Sequence, residues 1–255
     1  MDSELYKREM TLKKEVRYYL FFAYFTILLF PYSAVGQTHS RWRDSLNILN
    51  KQISGQPWST DLHLRKAAVN LELQQWQYAV DEYGMVLQRE PRNPAALFYR
   101  AYANTHLRHY DVARRDYEEL LKFLPRHMQA RLSLVYVFQQ MGLMQDAVDQ
   151  ANQAVELHPD SAIVYASRAS LEQSMKQTEP ALYDWQQAER LAPSNADYVA
   201  SHVELLLSQY RAAEARNVLD AAVRRGIPRG WLQGWYQKCR TCKKPKRIKL
   251  PGDLR

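Results

Sequence analysis

The sequence predicts an all-α protein built from tandem helix–turn–helix units, and three observations support this prediction. Four prolines lie 34 residues apart, each after an apolar run with helical spacing: Pro91, Pro125, Pro159 and Pro193. Five alanines keep the same spacing, twelve residues before each proline or its equivalent: Ala79, Ala113, Ala147, Ala181 and Ala215. Glycine, which breaks helices, occurs only eight times. A fixed period of 34 residues with small, apolar and proline positions in phase is typical of a helical repeat array.

The composition is that of a globular protein with a basic C-terminal end. With 255 residues, of which 46% are hydrophobic and 24% charged, the chain can bury a sizeable core. The formal net charge of +8 is unevenly placed. Residues 37–223 contain 19 basic and 22 acidic side chains, whereas residues 224–255 contain 11 basic side chains and one acidic one. We therefore expect any binding of nucleic acid or of an anionic surface through this tail only.

Residues 1–36 have the pattern of an export signal. Three basic residues precede an uncharged run over residues 18–40, whose centre is strongly apolar. Pro31 and a short run of small residues follow, so the pattern predicts cleavage between Gly36 and Gln37. The alternative is an uncleaved membrane anchor, because the run is long enough to span a bilayer. Translation from Met10 instead of Met1 would give the leader a more usual length. With either outcome we expect the body of the protein to be exported, to the periplasm or cell envelope.

Residues 40–57 are predicted to form an N-terminal cap helix and a linker. Trp42, Leu46, Leu49 and Ile53 recur at helical spacing, and residues 54–57 then break the helix. Such a helix would cover the exposed apolar edge of the first repeat, as the ends of repeat arrays require.

Five repeats are predicted, over residues 60–93, 94–127, 128–161, 162–195 and 196–227. When the proline is numbered 32, each repeat begins with a first helix of about 13 residues, followed by a short polar break. A second helix then runs to the proline, which cannot continue the hydrogen-bond ladder. Alanine at position 20 is expected where the two helices cross closely, because a larger side chain would force them apart.

Charges at two positions of the repeat predict an ion pair between its two helices. Position 7 is basic and position 23 is acidic in repeats one, two and four: Lys66 with Glu82, Arg100 with Asp116, and Arg168 with Asp184. Repeats three and five do not combine a basic residue at position 7 with an acidic residue at position 23. We therefore expect a partly buried ion pair within each of the three repeats, which helps to set the register of the two helices.

The sequence has no pattern of a catalytic, metal or phosphate site. Its seven histidines are scattered, and although His106 and His109 could share a helix face, no third metal ligand is placed beside them. Glycine-rich phosphate loops are absent. We therefore expect a protein that is not an enzyme, with no cofactor, no metal and no small-molecule substrate.

Residues 60 to about 227 resemble the tetratricopeptide repeat family, whose period they share. The resemblance rests on three sets of residues at the family's positions: Ala79/Tyr83/Pro91, Ala113/Tyr117/Pro125 and Ala181/Trp185/Pro193. Two departures are Ala151, where a large residue is usual, and Pro180, which opens a second helix and is tolerated in a first turn. The resemblance implies a right-handed α-solenoid with short cap helices, acting as a scaffold whose concave groove binds a protein or peptide.

In this family the first helices line the groove. Carried over to this chain, the resemblance implies a partner-binding groove made of Phe98, Tyr102, His106, Gln129, Leu132, Tyr136 and Gln139. The lysines and asparagines with which some relatives clamp an acidic peptide C-terminus are missing, which argues against that class of ligand. Tyrosine offers apolar area with few rotors, and glutamine can pair with the backbone of an extended peptide. The alternative is that Phe98 and Tyr102 only pack against the next helix.

Residues 228–255 are predicted to form an aromatic cap and a basic tail, which contains the only two cysteines, Cys239 and Cys242. Two thiols supply half of a zinc site. The alternatives are therefore a disulfide, a metal half-site, and a reactive thiol pair whose thiolates the flanking cations would stabilise. These cations would also attract nucleic acid, acidic lipid or another polyanion. A polyanion or membrane-surface binder that acts through the tail is the second hypothesis for the function.

Overall fold

The computed structural model describes residues 33–242, with side chains from residue 40 onward. Residues 1–32 of the predicted leader and the tail after Cys242 lie outside the described residues. Within residues 33–242 there is no strand, and twelve α-helices and one 3₁₀ helix follow one another: α1 Ser33–Gly55, α2 Thr60–Glu72, α3 Trp76–Arg89, α4 Pro94–His106, α5 Tyr110–Phe123, α6 Met128–Gln140, α7 Met144–Leu157, α8 Ala162–Ser174, α9 Thr178–Leu191, α10 Ala196–Ser208, α11 Ala212–Arg224, the 3₁₀ helix Arg229–Leu232, and α12 Gln233–Thr241. The predicted all-α fold of tandem helix–turn–helix repeats is confirmed.

The chain divides into two compact units between Pro91 and Arg92. The described part of the first unit contains α1 and the helix pair α2–α3, which is repeat one. The second contains the helix pairs of repeats two to five, α4–α5, α6–α7, α8–α9 and α10–α11, together with the 3₁₀ helix and α12. Within both units, the two helices of a repeat pack directly on each other.

The same tight turn joins the two helices of every repeat. Position 15 adopts a positive φ in all five repeats, with Gly142 at 75° and Arg108 at 60° as examples. This left-handed residue turns the chain so that the next amide donates back to the last turn of the first helix, as His109 does to the carbonyl of Asn104 at 2.8 Å. Four of the five positions carry a side chain other than glycine, which makes the conformation uncommon and specific to this turn.

Small residues allow the helices of each repeat to approach closely. All five alanines at position 20 have no exposed surface, from Ala79 in repeat one to Ala215 in repeat five. The neighbouring position 24 holds the large buried side chains Tyr83, Tyr117 and Trp185 in repeats one, two and four. In these three repeats a small and a large buried residue therefore follow each other along the second helix, which fills the space between helices without forcing them apart.

The helix α1 packs against the first helix of repeat one. Leu46 and Ile53 of α1 pack around the buried Leu49, against Leu62 and Val69 of α2. Two details differ from the expectation. The helix already begins at Ser33, and Trp42 is exposed instead of packed, because the face of α1 that meets α2 is carried by the leucines and isoleucine.

A second cap covers the last helix pair. Leu232 of the 3₁₀ helix and Tyr236 of α12 join the buried cluster that contains Val203 and Leu219 of repeat five. The Tyr236 hydroxyl also donates a hydrogen bond to Asp220 Oδ1 at 2.6 Å, which fastens α12 to α11. The aromatic segment after the last repeat therefore buries the apolar edge of α10 and α11.

The predicted ion pairs are present in all three repeats. Lys66 Nζ lies 2.7 Å from Glu82 Oε1 in repeat one. In repeats two and four the arginine is bidentate: the shorter of each pair of bonds is 2.7 Å for Arg100–Asp116 and 2.6 Å for Arg168–Asp184. Both aspartates are buried, with exposed fractions of 5% for Asp116 and 1% for Asp184.

Repeat three replaces the ion pair with a buried arginine at another position. Arg131 donates to the side-chain carbonyl oxygens of Gln150 at 2.6 Å and Gln153 at 2.5 Å, and to the carbonyl of Pro125 at 2.7 Å. Its Nε has no hydrogen-bond partner, and burial lowers the pKa of Arg131. The described residues around this guanidinium therefore satisfy most of its donors with neutral oxygens and leave its charge without a paired carboxylate.

Candidate functional site

A cleft of about 480 Å³ opens in the second unit, among the helices of repeats two and three. Its walls come from the C-terminal half of α4 and the turn after it, from α5, and from α6. The residues that line it are Tyr102, Thr105, His106, Arg108, Tyr110, Tyr117, Leu132, Ser133, Tyr136 and Gln140. Four of these ten residues are tyrosines, and six carry a hydroxyl group.

A buried tyrosine forms the deepest part of this cleft. Tyr117 has no exposed surface, and its hydroxyl is hydrogen-bonded with the side chains of Thr105 and Ser133. Burial raises the pKa of Tyr117 to about 12, so the phenol stays neutral at physiological pH. Phe98 packs against the Tyr117 ring edge-on, with 5.8 Å between ring centroids. The floor is therefore a neutral network of three hydroxyl groups backed by an aromatic ring.

Two partly exposed tyrosines stand at the rim. Tyr102 of α4 and Tyr136 of α6 occupy position 9 of successive repeats, and 39% and 48% of their surfaces are exposed. The Tyr102 ring meets the His106 ring edge-on, with 4.6 Å between centroids. Burial lowers the pKa of His106, so its imidazole is neutral at pH 7. Both tyrosine rings are thus partly exposed at the opening of the cleft.

The lining is almost free of charge. Arg108, the left-handed residue after α4, is its only side chain with a full charge at pH 7, and no carboxylate belongs to the ten lining residues. Leu132 is the one purely apolar side chain among them. The arrangement can therefore pack apolar groups on aromatic rings and exchange hydrogen bonds.

The structure brings together four of the seven residues that the sequence places in a groove: Tyr102, His106, Leu132 and Tyr136. The other three lie outside the cleft. Phe98 is half-buried in an aromatic cluster with Tyr117 and His127, and its ring lies 5.3 Å from that of His127. Gln129 and Gln139 lie on α6 but do not line the cleft. The two residues therefore differ: Phe98 packs inward against neighbouring rings, whereas Tyr102 lies at the open rim of the cleft.

Sequence reasoning missed four lining residues: Arg108, Tyr110, Tyr117 and Ser133. Two further lining residues, Thr105 and Gln140, occupy positions 12 and 13 of their repeats, where the resemblance implies groove residues. Tyr117 lies on the second helix α5, and its side chain extends between the first helices α4 and α6 only because α4 packs against α5. No sequence pattern predicts this position of the side chain.

Outside the cleft, repeat four contains an unusual buried carboxyl group. Glu172 Oε1 lies 4.0 Å from Arg168 Nε, and its Oε2 has no hydrogen-bond partner. Burial, together with the negative charge of Asp184, raises the pKa of Glu172 to about 7. Arg168 already makes two bonds to Asp184, so it offers Glu172 only partial compensation.

The two cysteines are free thiols near the end of α12. Burial and the nearby Cys242 raise the pKa of the Cys239 thiol. Cys242 Sγ donates to the carbonyl of Leu207, 3.5 Å away. In the part of the chain that the structure describes, no group of three or more candidate ligands could hold a metal ion. Within the same residues, no helix combines the length and apolar character needed to cross a bilayer.

These features define a helical-repeat protein with a neutral, tyrosine-rich cleft, and comparisons with known proteins agree on the fold. No family model matches the sequence. A curated relative, the DnaJ homolog subfamily C member 7 homolog of Dictyostelium discoideum, is 28% identical over 90 residues, which are 35% of this chain and 17% of the relative. The match thus spans about a sixth of that relative's length.

Solved structures of tetratricopeptide repeat proteins resemble the chain over most of its length. A tetratricopeptide repeat protein from Parabacteroides merdae has a TM-score of 0.58 at 19% identity, over 81% of each chain. MamA from Desulfovibrio magneticus RS-1 has a TM-score of 0.54 at 17% identity, over 65% of this chain and 92% of its own. YrrB has a TM-score of 0.56 at 15% identity, over 77% of this chain and 98% of its own. The chain therefore has the tetratricopeptide repeat fold, a fold that supports protein–protein interaction scaffolds in general.

Proposed function

We propose that this chain is a scaffold that binds an extended segment of a partner protein in the cleft of repeats two and three, and that it is not an enzyme. The observation that supports this most directly is the pair of partly exposed tyrosines, Tyr102 and Tyr136, above a floor of hydrogen-bonding hydroxyl groups. Tyrosine gives a large contact area at low cost in conformational entropy, which makes it common in binding surfaces. The printed title of the YrrB structure describes an unusual peptide-binding site in that protein, which is consistent with this use of the fold.

The test is partner capture by the full chain and by two matched double variants. Tyr102→Ala/Tyr136→Ala removes the rim of the cleft. Tyr78→Ala/Tyr183→Ala removes two tyrosines of second helices that lie outside the cleft and are more exposed, with exposed fractions of 64% and 59%. We expect a specific partner that is lost with the first variant and retained with the second, while far-ultraviolet circular dichroism stays unchanged for both. Equal capture by all three proteins would refute the proposal, and turnover of a substrate by the purified chain would refute its second part.

The cellular site follows from the leader, and we propose that the protein is exported to the cell envelope. The described side chains of α1 that pack on α2, from Leu46 to Ile53, lie beyond the predicted cleavage point before Gln37. Removal of the leader would therefore shorten α1 by its first four residues and keep these packing contacts. N-terminal sequencing of the protein isolated from its cells should give Gln37 as the first residue. A chain that retains the leader would instead support the membrane anchor.

A second candidate function, binding of an anionic surface through the tail, has one observation in its favour. Trp231 of the C-terminal cap is 72% exposed, and the cap and the sequence after it are rich in cations. An exposed tryptophan beside cations suits the interface of an anionic membrane. Removal of residues 243–255 should weaken binding to vesicles that contain anionic lipid and leave binding by the cleft unchanged.

A further inference from the structure

The two cysteines lie on one face at the end of the C-terminal cap. Cys239 is in the last turn of α12, and Cys242 directly follows Thr241, the final residue of that helix. The Cys242 amide still donates to the carbonyl of Lys238 at 3.0 Å, and its φ of −69° is that of a helix. The Cβ atom of Cys242 therefore continues the helical arrangement. Residues three apart on a helix are neighbours, so the two Cβ atoms are about 5 to 6 Å apart.

This spacing is too long for a disulfide in the helix as it stands. A disulfide requires Cβ atoms about 3.5 to 4.5 Å apart, so it would have to distort the last turn of α12. A metal ion between two sulfur atoms holds them about 4 to 5 Å apart, which is twice a metal–sulfur bond of roughly 2.3 Å. The helical spacing therefore suits a metal ion between the two sulfur atoms better than a sulfur–sulfur bond.

The number of ligands selects among the metal ions that bind thiolates. Structural Zn²⁺ takes four ligands, and no group of three or more candidate ligands occurs within the described residues. The sequence after Cys242 contains neither cysteine nor histidine. Cu(I) also prefers soft thiolate ligands, but two of them in a linear arrangement are sufficient for it. Cys239 and Cys242 are therefore a complete ligand set for Cu(I) and half of one for Zn²⁺.

The surroundings of both sulfur atoms favour a soft ion. Cys239 is partly buried and packs against the apolar cluster that contains residues of repeat five, which limits the access of water. Cys242 Sγ donates to the carbonyl of Leu207, 3.5 Å away, and the same carbonyl accepts from the Tyr210 amide at 3.0 Å. Loss of the Cys242 thiol proton to a metal ion would therefore leave this carbonyl with a hydrogen-bond partner.

The charge around the thiols also suits a copper complex. Cu(I) with two thiolates has one net negative charge, and residues 224–242 contain five basic side chains and no acidic one. Burial, the charge of Cys242 and, to a smaller extent, that of Asp220 raise the pKa of the Cys239 thiol, whereas Arg216 of α11 lowers it. A metal cation between the two sulfur atoms replaces their mutual repulsion with attraction, so it can displace both protons.

We propose that Cys239 and Cys242 form a two-thiolate site for Cu(I) at the end of the C-terminal cap. The site shares no residue with the cleft of repeats two and three, so it goes beyond the scaffold function. Each thiol releases its proton to solvent when Cu(I) binds, and the copper is neither oxidised nor reduced. Binding fastens Cys242, where the described part of the chain ends, to the last turn of α12.

The experiment is a competition for Cu(I) between the reduced full chain and bathocuproine disulfonate, a coloured chelator of this ion, in the absence of oxygen. The wild type should take up about one Cu(I) per chain. Cys239→Ser and Cys242→Ser should each weaken binding by more than the roughly 10- to 100-fold loss that outer-shell partners cause. Thr241→Ser, between the two cysteines, is the matched control and should bind Cu(I) as the wild type does.

Several outcomes would overturn this proposal. If the chain does not compete with the chelator, or if both cysteine variants still take up copper while their far-ultraviolet circular dichroism is unchanged, the site is wrong. If the molar mass doubles when copper is added, in size-exclusion chromatography with light scattering, two chains share the ion. If oxidised glutathione closes an internal disulfide without loss of helicity, the distance argument fails. Partner capture by the cleft should be the same for the wild type and all three variants, so the two proposals can fail separately.

Discussion

Replacing Arg100 with leucine tests how much the ion pair between two helices of one repeat contributes to stability. Arg100 makes two hydrogen bonds of 2.7 Å to Asp116, one to each carboxylate oxygen. The Asp116 side chain is 7% exposed, whereas that of Arg100 is 26% exposed. In Arg100→Leu the carboxylate would stay buried beneath α4 without its cation, while the leucine would still cover part of the surface that the arginine stem covers.

The burial of Asp116 determines how much free energy of unfolding Arg100→Leu should lose. Breaking a buried ion pair on one side costs about 3 to 5 kcal/mol, because an uncompensated charge remains. Since a quarter of the Arg100 side chain is exposed, water reaches the pair, and we expect the lower end, about 3 kcal/mol. The double variant Arg100→Leu/Asp116→Leu removes the stranded charge as well. It should recover about 2 kcal/mol of this loss, since two apolar groups of similar volume can replace a buried pair at little cost.

The assay is urea unfolding followed by circular dichroism at 222 nm, for the wild type, Arg100→Leu, Asp116→Leu and the double variant. The four free energies of unfolding form a double-mutant cycle that isolates the coupling between the two side chains. The slope of each transition has to be compared first, because repeat proteins can unfold in parts. A double variant that is no more stable than Arg100→Leu would refute the argument, since the loss would then come from packing and not from a stranded carboxylate.

Three further predictions concern charge and pH. Gln150→Glu places a carboxylate where an oxygen already lies 2.6 Å from Arg131, so it should raise the free energy of unfolding by about 1 kcal/mol in urea unfolding at pH 7. Glu172→Gln should stabilise the protein by about 1 to 2 kcal/mol at pH 8 and leave its stability nearly unchanged at pH 4, when urea unfolding is repeated across this range. The reason is that the raised pKa of Glu172 makes its ionisation costly in the folded chain, and partial exposure reduces that cost. Partner binding in the cleft should be constant between about pH 7 and pH 9 and change only in more acidic solution when partner capture is repeated across this range, because burial lowers the pKa of His106 and Tyr117 keeps its proton.

The sign of the Glu172 effect follows from proton linkage. Its pKa rises from 4.5 to about 7 on folding, so between these values the folded chain holds a proton that the unfolded chain has released. The contribution of Glu172 to stability is therefore fully present below pH 4.5 and is lost as the pH rises through 7. A Glu172→Gln variant with the same pH dependence as the wild type would contradict this prediction.

The control for Gln150→Glu is Gln153→Glu, which also places a carboxylate beside Arg131. Because Gln153 is exposed, its new charge would be better solvated. An equal gain in the free energy of unfolding with Gln153→Glu would argue against burial as the cause.

Much of the fold could be predicted because it depends on local pattern. The 34-residue period, the alanine at position 20 and the terminating proline are visible in the sequence, and helix formation responds to them within a few turns. The ion pairs of repeats one, two and four could also be predicted, since positions 7 and 23 vary together among the repeats. Internal repetition provided the comparison that a single helix pair would not.

The cleft could be predicted only in part. Tyr102 and Tyr136 follow from their shared position 9, but Tyr117 and Ser133 have no such signal. The sequence also places Phe98 and Tyr102 together on α4 without distinguishing them. Packing separates them, because Phe98 faces the ring of Tyr117 whereas Tyr102 lies at the rim.

By itself, then, the sequence determined the class of fold, the period and the helix-to-helix ion pairs, since each depends on residues at regular spacing. Only the tertiary structure decided which side chains enclose the cleft, that Arg131 replaces the ion pair in repeat three, and that Glu172 is held near an already engaged arginine. These features depend on distances between helices and on the loss of water around buried groups. Both arise when several helices pack together, and the order of residues along one helix does not encode them.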